Sequence, residues 1–427
     1  MKIWNLVTRR GFLMYFYKLK DKILISQLEY SELNKISESE AEESKEIIYV
    51  LNRTNLLKSR RYFSITDPSL IFLKEEGIHL LQKSKKINYD LPPWLNERIK
   101  EKRVSSLNTE YPNWQDMLTY KVPSRWKVNI VGLGDVGGIL LTGLRLLGGN
   151  CIESIGIYDK NKNTIKRWKL EANQIFCPFT SQKFPEVYQL REENIFECDM
   201  FVFCATIGVP SLREEQEDVR MKQFEGNSKI ISEYARKARK KSFKGIFAII
   251  SDPVDLLCKA VFLASNKSTS GEFDFKGLAA DQIRGYGLGV MHARAIYYSK
   301  QNTETAKYNR EGRAFGPHGQ GLVIANSLKK YNENLSEMLT DQTVKANLEI
   351  RKTGFKPYVA PALSSGSYSL IATMSGKWHY SATFMGGVFM GAKNRLLKSG
   401  TEIERLDLPD NLIEKIKESY KELSNIL

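Results

Sequence analysis

One stretch constrains the fold of this chain more than any other: residues 127–138, Lys-Val-Asn-Ile-Val-Gly-Leu-Gly-Asp-Val-Gly-Gly. Val128, Asn129, Ile130 and Val131 read as a buried strand, and Gly132, Gly134 and Gly137 follow at the spacing G-x-G-x-x-G. An apolar helical pattern starts at Ile139 and continues through Leu140, Leu141, Leu144 and Leu147. In such a turn the first glycine permits a tight bend and the second lets backbone N–H groups reach a pyrophosphate. The third lets helix pack on strand, and the phosphate, flanked here by Asp135 and Val136, sits at the positive end of the new helix. A bare glycine fingerprint is weak, since a glycine-rich turn without a ligand has the same letters. Here a second strand, residues 154–159, ends in Asp159, which lies 25 positions after Gly134 and is placed for ribose hydroxyls. That carboxylate would repel a 2′-phosphate, so the expected cofactor is NAD.

From residue 127 the pattern alternates strand and helix, the mark of an α/β, doubly wound parallel sheet of the Rossmann type. A helix is expected over 164–173, a strand buried on both faces over 199–206, and a charged loop over 211–220 leading into a helix that ends near Lys240. The next strand, 245–250, runs into Ser251-Asp252-Pro253-Val254-Asp255. Gly208 and Asp252 thus fall at carboxyl ends of strands, where such sheets bind ligands. After about residue 285 the pattern shifts to long helices and antiparallel strands, predicting a second, α+β catalytic domain.

The first 104 residues read differently. A charged helix is expected over 36–52, a short strand over 61–65, and a helix opened by Asp67-Pro68 and running to Leu81. Together they predict a small, mainly helical or winged-helix-like domain of structural or oligomerising role, and residues 105–126 a linker. Its basic and aromatic residues permit nucleic-acid or peptide binding, but nucleic acid is not the expected partner.

At 427 residues the chain exceeds one ordinary domain, and its net charge of +15 suits anionic substrates and cofactors. The basic residues are dispersed, so a solvated basic surface is the plainer reading. Five cysteines without a C-x-x-C pair predict free thiols in a reducing compartment, and no metal site. No apolar run reaches bilayer length. Arg9-Arg10 before a short aromatic run lacks a small-residue cleavage site, so a cytoplasmic protein without membrane contact is expected.

Several segments together resemble the L-lactate/malate dehydrogenase family from residue 127 to the C-terminus. Beyond the fingerprint and Asp159, Arg220 precedes Asn227 by seven positions, and Asp252-Pro253-Val254-Asp255 stands where the family has Asn-Pro-Val-Asp. Residues 287–294 resemble the segment ending in the carboxylate-binding arginine, and Gly316-Pro317-His318-Gly319 the segment around the catalytic histidine. Gly366-Ser367-Tyr368-Ser369 resembles the helix that closes the substrate pocket, and residues 386–395 the late strand pair. The resemblance implies hydride transfer between NAD and a 2-hydroxy acid. His318 would be the acid/base, Arg294 the carboxylate clamp, and Ser367 a pocket residue. Arg220 would sit in a mobile loop closing over substrate, and Arg213 near a malate-type second arginine. For Arg220 the competing reading is a solvated charge among Glu214, Glu215, Glu217 and Asp218. Homo-oligomers are implied as well.

Two positions depart from that pattern. Met291 replaces the aspartate that orients the histidine, and a thioether cannot offset an imidazolium charge. Asp252 replaces an asparagine near the substrate carbonyl. One reading joins them: Asp252 supplies the charge that Met291 does not. Another has Asp252 meet a cationic or hydroxyl-rich substrate group. The alternatives to a dehydrogenase are a nucleotide-binding regulatory homologue with little chemistry, or a tailoring reductase whose N-terminal domain delivers a different substrate.

Overall fold

The computed structural model describes residues 7–9, 12–84, 90–207 and 216–426. The first hundred residues fold around a sheet, which corrects the helical expectation. Strands β1 (Val7–Arg9), β2 (Phe12–Leu19), β3 (Lys22–Ser26) and β4 (Asn34–Lys35) precede the short helix α1 (Glu38–Glu42). β5 (Ile48–Asn52), β6 (Tyr62–Ser64), α2 (Pro93–Lys100) and β7 (Val104–Asn108) complete the unit. The sheet order is β1-β2-β3-β5-β7-β6, with β4 on β2. β3, β5 and β7 run parallel.

Only Glu38–Glu42 of the helix expected over 36–52 forms, capped by Ser37. The charged half stays at the surface, whereas Ile48, Tyr49, Val50 and Leu51 are buried and β-prone, so burial of that run makes a strand. The helix expected up to Leu81 reduces to two 3-10 turns, Pro68–Leu70 and Ile78–Leu81. The linker reading fails at its start, because Ser105 and Ser106 lie inside β7, fully paired between β5 and β6. Their hydroxyls suit the interior because each finds a partner: Ser105 donates to the Ser399 carbonyl at 2.8 Å, and Ser106 accepts from Asn52 at 2.6 Å. Polar composition was a poor guide there.

The second sheet begins with β8 (Trp126–Val131), α3 (Asp135–Leu147), β9 (Ile152–Tyr158), α4 (Lys162–Asn173) and β10 (Glu186–Gln189). β11 (Met200–Phe203), α5 (Gln216–Lys240), β12 (Ile246–Ile249), α6 (Val254–Asn266) and β13 (Ile283–Gly285) follow. These strands are parallel, as the alternating pattern predicts. Beyond them come α7 (Leu288–Ser299), α8 (Tyr308–Glu311), the hairpin β14 (Arg313–Phe315) and β15 (Val323–Ala325), and α9 (Glu333–Lys352). A π-helix, Pro361–Ser367, leads into α10 (Tyr368–Met374), then β16 (His379–Met385), β17 (Val388–Leu397), β18 (Gly400–Ile403) and α11 (Asp410–Ile426). β16 pairs antiparallel with β13 through Gly285 and Ala382, so the order β10-β9-β8-β11-β12-β13-β16-β17-β18 runs unbroken across residue 285.

The N-terminal sheet is welded to this second sheet. Tyr62 donates to the Lys398 carbonyl at 2.8 Å, Ser64 meets Ser399 at 2.8 Å, and Arg61 pairs with Asp281. Next to the β16–β17 turn, Arg60 and Glu76 form an ion pair in which each side chain is 2% exposed, with Glu76 also accepting the Arg60 backbone N–H. No described helix is long and apolar enough to cross a membrane.

Removing one member of a buried pair strands the other charge, at a cost of about 3–5 kcal/mol. Urea unfolding should therefore show Arg60→Met losing stability on that scale. The double change Arg60→Met with Glu76→Gln, which keeps an acceptor for the backbone N–H, should recover most of it. A loss below about 1 kcal/mol for the single variant would show the pair to be dispensable.

Candidate active site

The nucleotide turn is built by two forced glycines and one open one. Gly132 has φ +90°, and a Cβ on it would stand 2.6 Å from the Ala205 nitrogen. One on Gly137 would stand 1.9 Å from the Gly132 carbonyl oxygen. Both positions are therefore fixed by backbone packing alone. Gly134 differs: its backbone is in the β region, it is exposed, and a Cβ on it would meet nothing within 4 Å. A glycine with empty space in front of it, at the N-terminus of α3, is what an approaching diphosphate requires.

Asp135 opens α3 at the surface and pairs with Lys356 at 3.3 Å, a cation that the sequence reading missed. Val136 packs against the core behind the turn. Asp159 accepts the Leu133 N–H at 2.8 Å and the Asn161 N–H at 2.9 Å, which fixes its carboxylate at the crevice edge. Each carboxylate oxygen keeps a further lone pair for a ribose hydroxyl. The residues present fit a dinucleotide.

At the carboxyl end of β12 two further groups meet. Asp252 follows that strand, and His318 comes from the loop between β14 and β15. The His318 Nδ1 lies 2.9 Å from Asp252 Oδ1, with side-chain exposures of 12% and 47%. The His318 backbone N–H donates to Asp255 Oδ2 at 3.1 Å, tying the loop to the first turn of α6. Gly287 makes room for the ring, because a Cβ there would stand 2.7 Å from His318 Cβ. His318 Nε2 is buried without a protein partner among the described residues. With its proton on Nδ1, facing the carboxylate, the ring presents a bare lone pair at Nε2.

Helix α7 brings Met291 and Arg294 to the same place. Met291 is 2% exposed, and its sulfur lies 3.5 Å from an Arg294 terminal nitrogen. The other terminal nitrogen of Arg294 donates to Asn347 of α9. Burial pulls the Arg294 guanidinium below its ordinary range, and the Asp252 charge opposes that. The carboxylate at 252 thus acts electrostatically on both the imidazole and the guanidinium.

Not every expected residue converges here. Ser367 is fully buried in the π-helix, and its hydroxyl donates to the carbonyls of Leu140 and Ala362. It packs the π-helix onto α3. Ser365, unmarked in sequence, instead bridges the Gly287 carbonyl and the Val290 N–H at the start of α7. Arg220 stands on α5, which begins at Gln216, and not in a loop; its side chain, Gly208 and Arg213 lie outside the described residues. Asn227, two turns further along α5, is buried and joins two strand ends, accepting the Ile207 N–H at 3.0 Å and donating to the Asp252 carbonyl at 2.7 Å. Of the remaining histidines, His379 is buried, His292 half-buried and His79 exposed. Burial pushes His379 down to about 3, and with help from Arg313 and Lys393 pushes His292 down to about 4. Partial desolvation also lowers His79.

Residues 126–274 match the model of the lactate/malate dehydrogenase NAD-binding domain. The L-lactate dehydrogenase of Bacillus pumilus is 24% identical over 327 residues, 70% of this chain and 96% of that protein. The malate dehydrogenase of Aliarcobacter butzleri is 24% identical over 326 residues, 70% of this chain and 97% of that protein. In fold, the minor L-lactate dehydrogenase of Enterococcus mundtii superposes with a TM-score of 0.58 at 19% identity, covering 71% of this chain and 97% of that one. Residues 126–274 thus carry a nucleotide-binding domain of the lactate/malate dehydrogenase type, with NAD as its cofactor, and the chain is similar to lactate and malate dehydrogenases along 70% of its length.

Proposed function

We propose that this protein is an NAD-dependent oxidoreductase that interconverts a small 2-hydroxy acid and its 2-oxo acid. His318 moves the proton, Asp252 holds His318 in its working form, and Arg294 grips the substrate carboxylate. The observation that carries the reading is the 2.9 Å contact between His318 Nδ1 and Asp252 Oδ1, with Nε2 left for the substrate. Bound NAD would supply the hydride acceptor at the nicotinamide C4. With the hydride so taken up, His318 would accept the substrate's hydroxyl proton at Nε2 as the carbonyl forms. The imidazolium that results lies against the Asp252 carboxylate, which stabilises it as an aspartate at position 291 would. A protonated His318 and an ionised Asp252 carry no net charge together. In the reduction direction, which starts from that imidazolium, the 2-oxo acid's carboxylate meets Arg294 without opposition from the pair. In the reverse direction His318 returns the proton from Nε2.

One observation favours a second reading, a nucleotide-binding homologue with little turnover. Arg294 is already engaged by Asn347 and flanked by Met291, so its clamp must exchange a protein partner for substrate. The two readings share the cofactor and differ in chemistry.

Cofactor binding is tested at Gly134, where added bulk has room in the protein itself. Gly134→Ala should leave the urea midpoint within about 0.5 kcal/mol of the parent while weakening NADH affinity, read by fluorescence titration, by about tenfold or more. Equal NADH affinity would remove the diphosphate from this turn. Chemistry is tested by NADH consumption across a panel of 2-oxo acids that includes pyruvate and oxaloacetate. His318→Gln and Asp252→Asn should each lower kcat by about 10²–10⁴ with NADH affinity unchanged. Full turnover in the Asp252 variant would falsify its role, and NADH binding with no turnover on any acid would favour the second reading.

A further inference from the structure

A second charged interior lies far along the strands from the nucleotide turn. Arg284, on β13, is 1% exposed. Its terminal nitrogens donate to the Asn394 side-chain oxygen at 3.0 Å and to the Thr401 hydroxyl, both neutral. No carboxylate stands within ion-pair distance of it among the described residues, and its Nε has no protein partner. Arg61, which arrives from the N-terminal sheet, spends a terminal nitrogen on Asp281 and also leaves its Nε without a partner. A buried guanidinium lacking a counter-charge is costly, and such groups mark places where an anion is held.

These arginines line one cavity of about 30 Å³, together with Tyr62, Tyr120, Lys244 and Asp281. That volume exceeds what a single water needs. Tyr120, Lys244 and Gly245 also line a wider cleft of about 210 Å³ whose wall includes Lys121, Lys241 and Asp199. Five basic residues (Arg61, Arg284, Lys121, Lys241, Lys244) and two acidic ones, Asp199 and Asp281, line the two chambers, and Lys244 also pairs with Asp116 at 3.2 Å. Burial pushes the Tyr120 hydroxyl up to about 12, so it stays protonated and able to donate. Asp199 and Gly245 precede β11 and β12, which places the cleft at the amino ends of these strands, opposite the carboxyl end of β12 that leads to Asp252.

We propose that this cleft binds a small tetrahedral oxyanion, of the phosphate or sulfate class, between Arg284 and Arg61. The anion would supply the charge that Arg284 lacks and clamp the N-terminal sheet to the edge of the second sheet. The basic outer chamber would draw it in. This function is independent of turnover.

The test is the melting temperature of the full-length protein, saturated with NADH so that the nucleotide turn is filled. Sodium phosphate and sodium sulfate are titrated against sodium chloride at matched ionic strength. Phosphate and sulfate should each raise Tm saturably, as a ligand specific to the folded state does, and chloride should not. Arg284→Gln should abolish the rise. If that variant does not fold, Tyr120→Phe and Lys244→Gln, at half-buried and exposed positions, should each shift the half-saturating phosphate concentration up by about tenfold, the weight of a hydrogen bond to a charged group. No saturable rise, or a rise of the same midpoint in all these variants, would overturn the proposal.

Discussion

A single carboxylate–imidazole contact sets the electrostatics around which the catalytic end of this protein is arranged. Asp252 is held by the end of β12, by Asn227 gripping its carbonyl, and by the start of α6. His318 arrives on a separate hairpin, and its backbone is pinned by Asp255. Neither element alone would place a carboxylate 2.9 Å from an imidazole nitrogen. On α7, Met291 stands where the family pattern has an acid, with its sulfur 3.5 Å from an Arg294 terminal nitrogen. Moving the negative charge to 252 leaves the thioether as packing beside the arginine. Under the proposed chemistry, the two departures from the family pattern are one rearrangement of charge.

The nucleotide turn depends on a steric constraint instead. Gly132 and Gly137 are required because backbone atoms lie where side chains would be, and Gly134 because space must stay open. The N-terminal sheet depends on polar contacts. Its β6 strand meets the β17–β18 turn through serine hydroxyls and a tyrosine, and its arginines enter the interior paired with Glu76 and Asp281. Such an interface is specific in register and sensitive to the loss of one partner, because each unpaired group would be buried.

The parallel sheet was legible because its strands are near-continuous apolar runs and its first turn has glycine at the fixed offsets. Asp252, His318 and Arg294 were legible from family motifs, and their geometry makes one cluster of them. Ser367 was expected at the pocket from a family motif, and in the π-helix its hydroxyl meets the α3 backbone while Ser365 meets the start of α7. The N-terminal region was misread because its strands carry tyrosines and serines satisfied by distant parts of the chain. Ser105 looks like linker chemistry until Ser399 is brought beside it, whereas the strand expected over 61–65 forms as β6. A lone sequence carries local propensity, and these elements are decided by partners some three hundred residues away.

The account rests on which ring nitrogen of His318 carries the proton. Nitrogen-15 NMR of the histidine-labelled protein, with the His318 resonance assigned through His318→Gln, measures this at a pH where the ring is neutral. The account predicts the proton on Nδ1, held by Asp252, and the lone pair on Nε2, with Asp252→Asn shifting the tautomer balance toward Nε2–H. A proton on Nε2 in the parent protein, unmoved by that substitution, would contradict it.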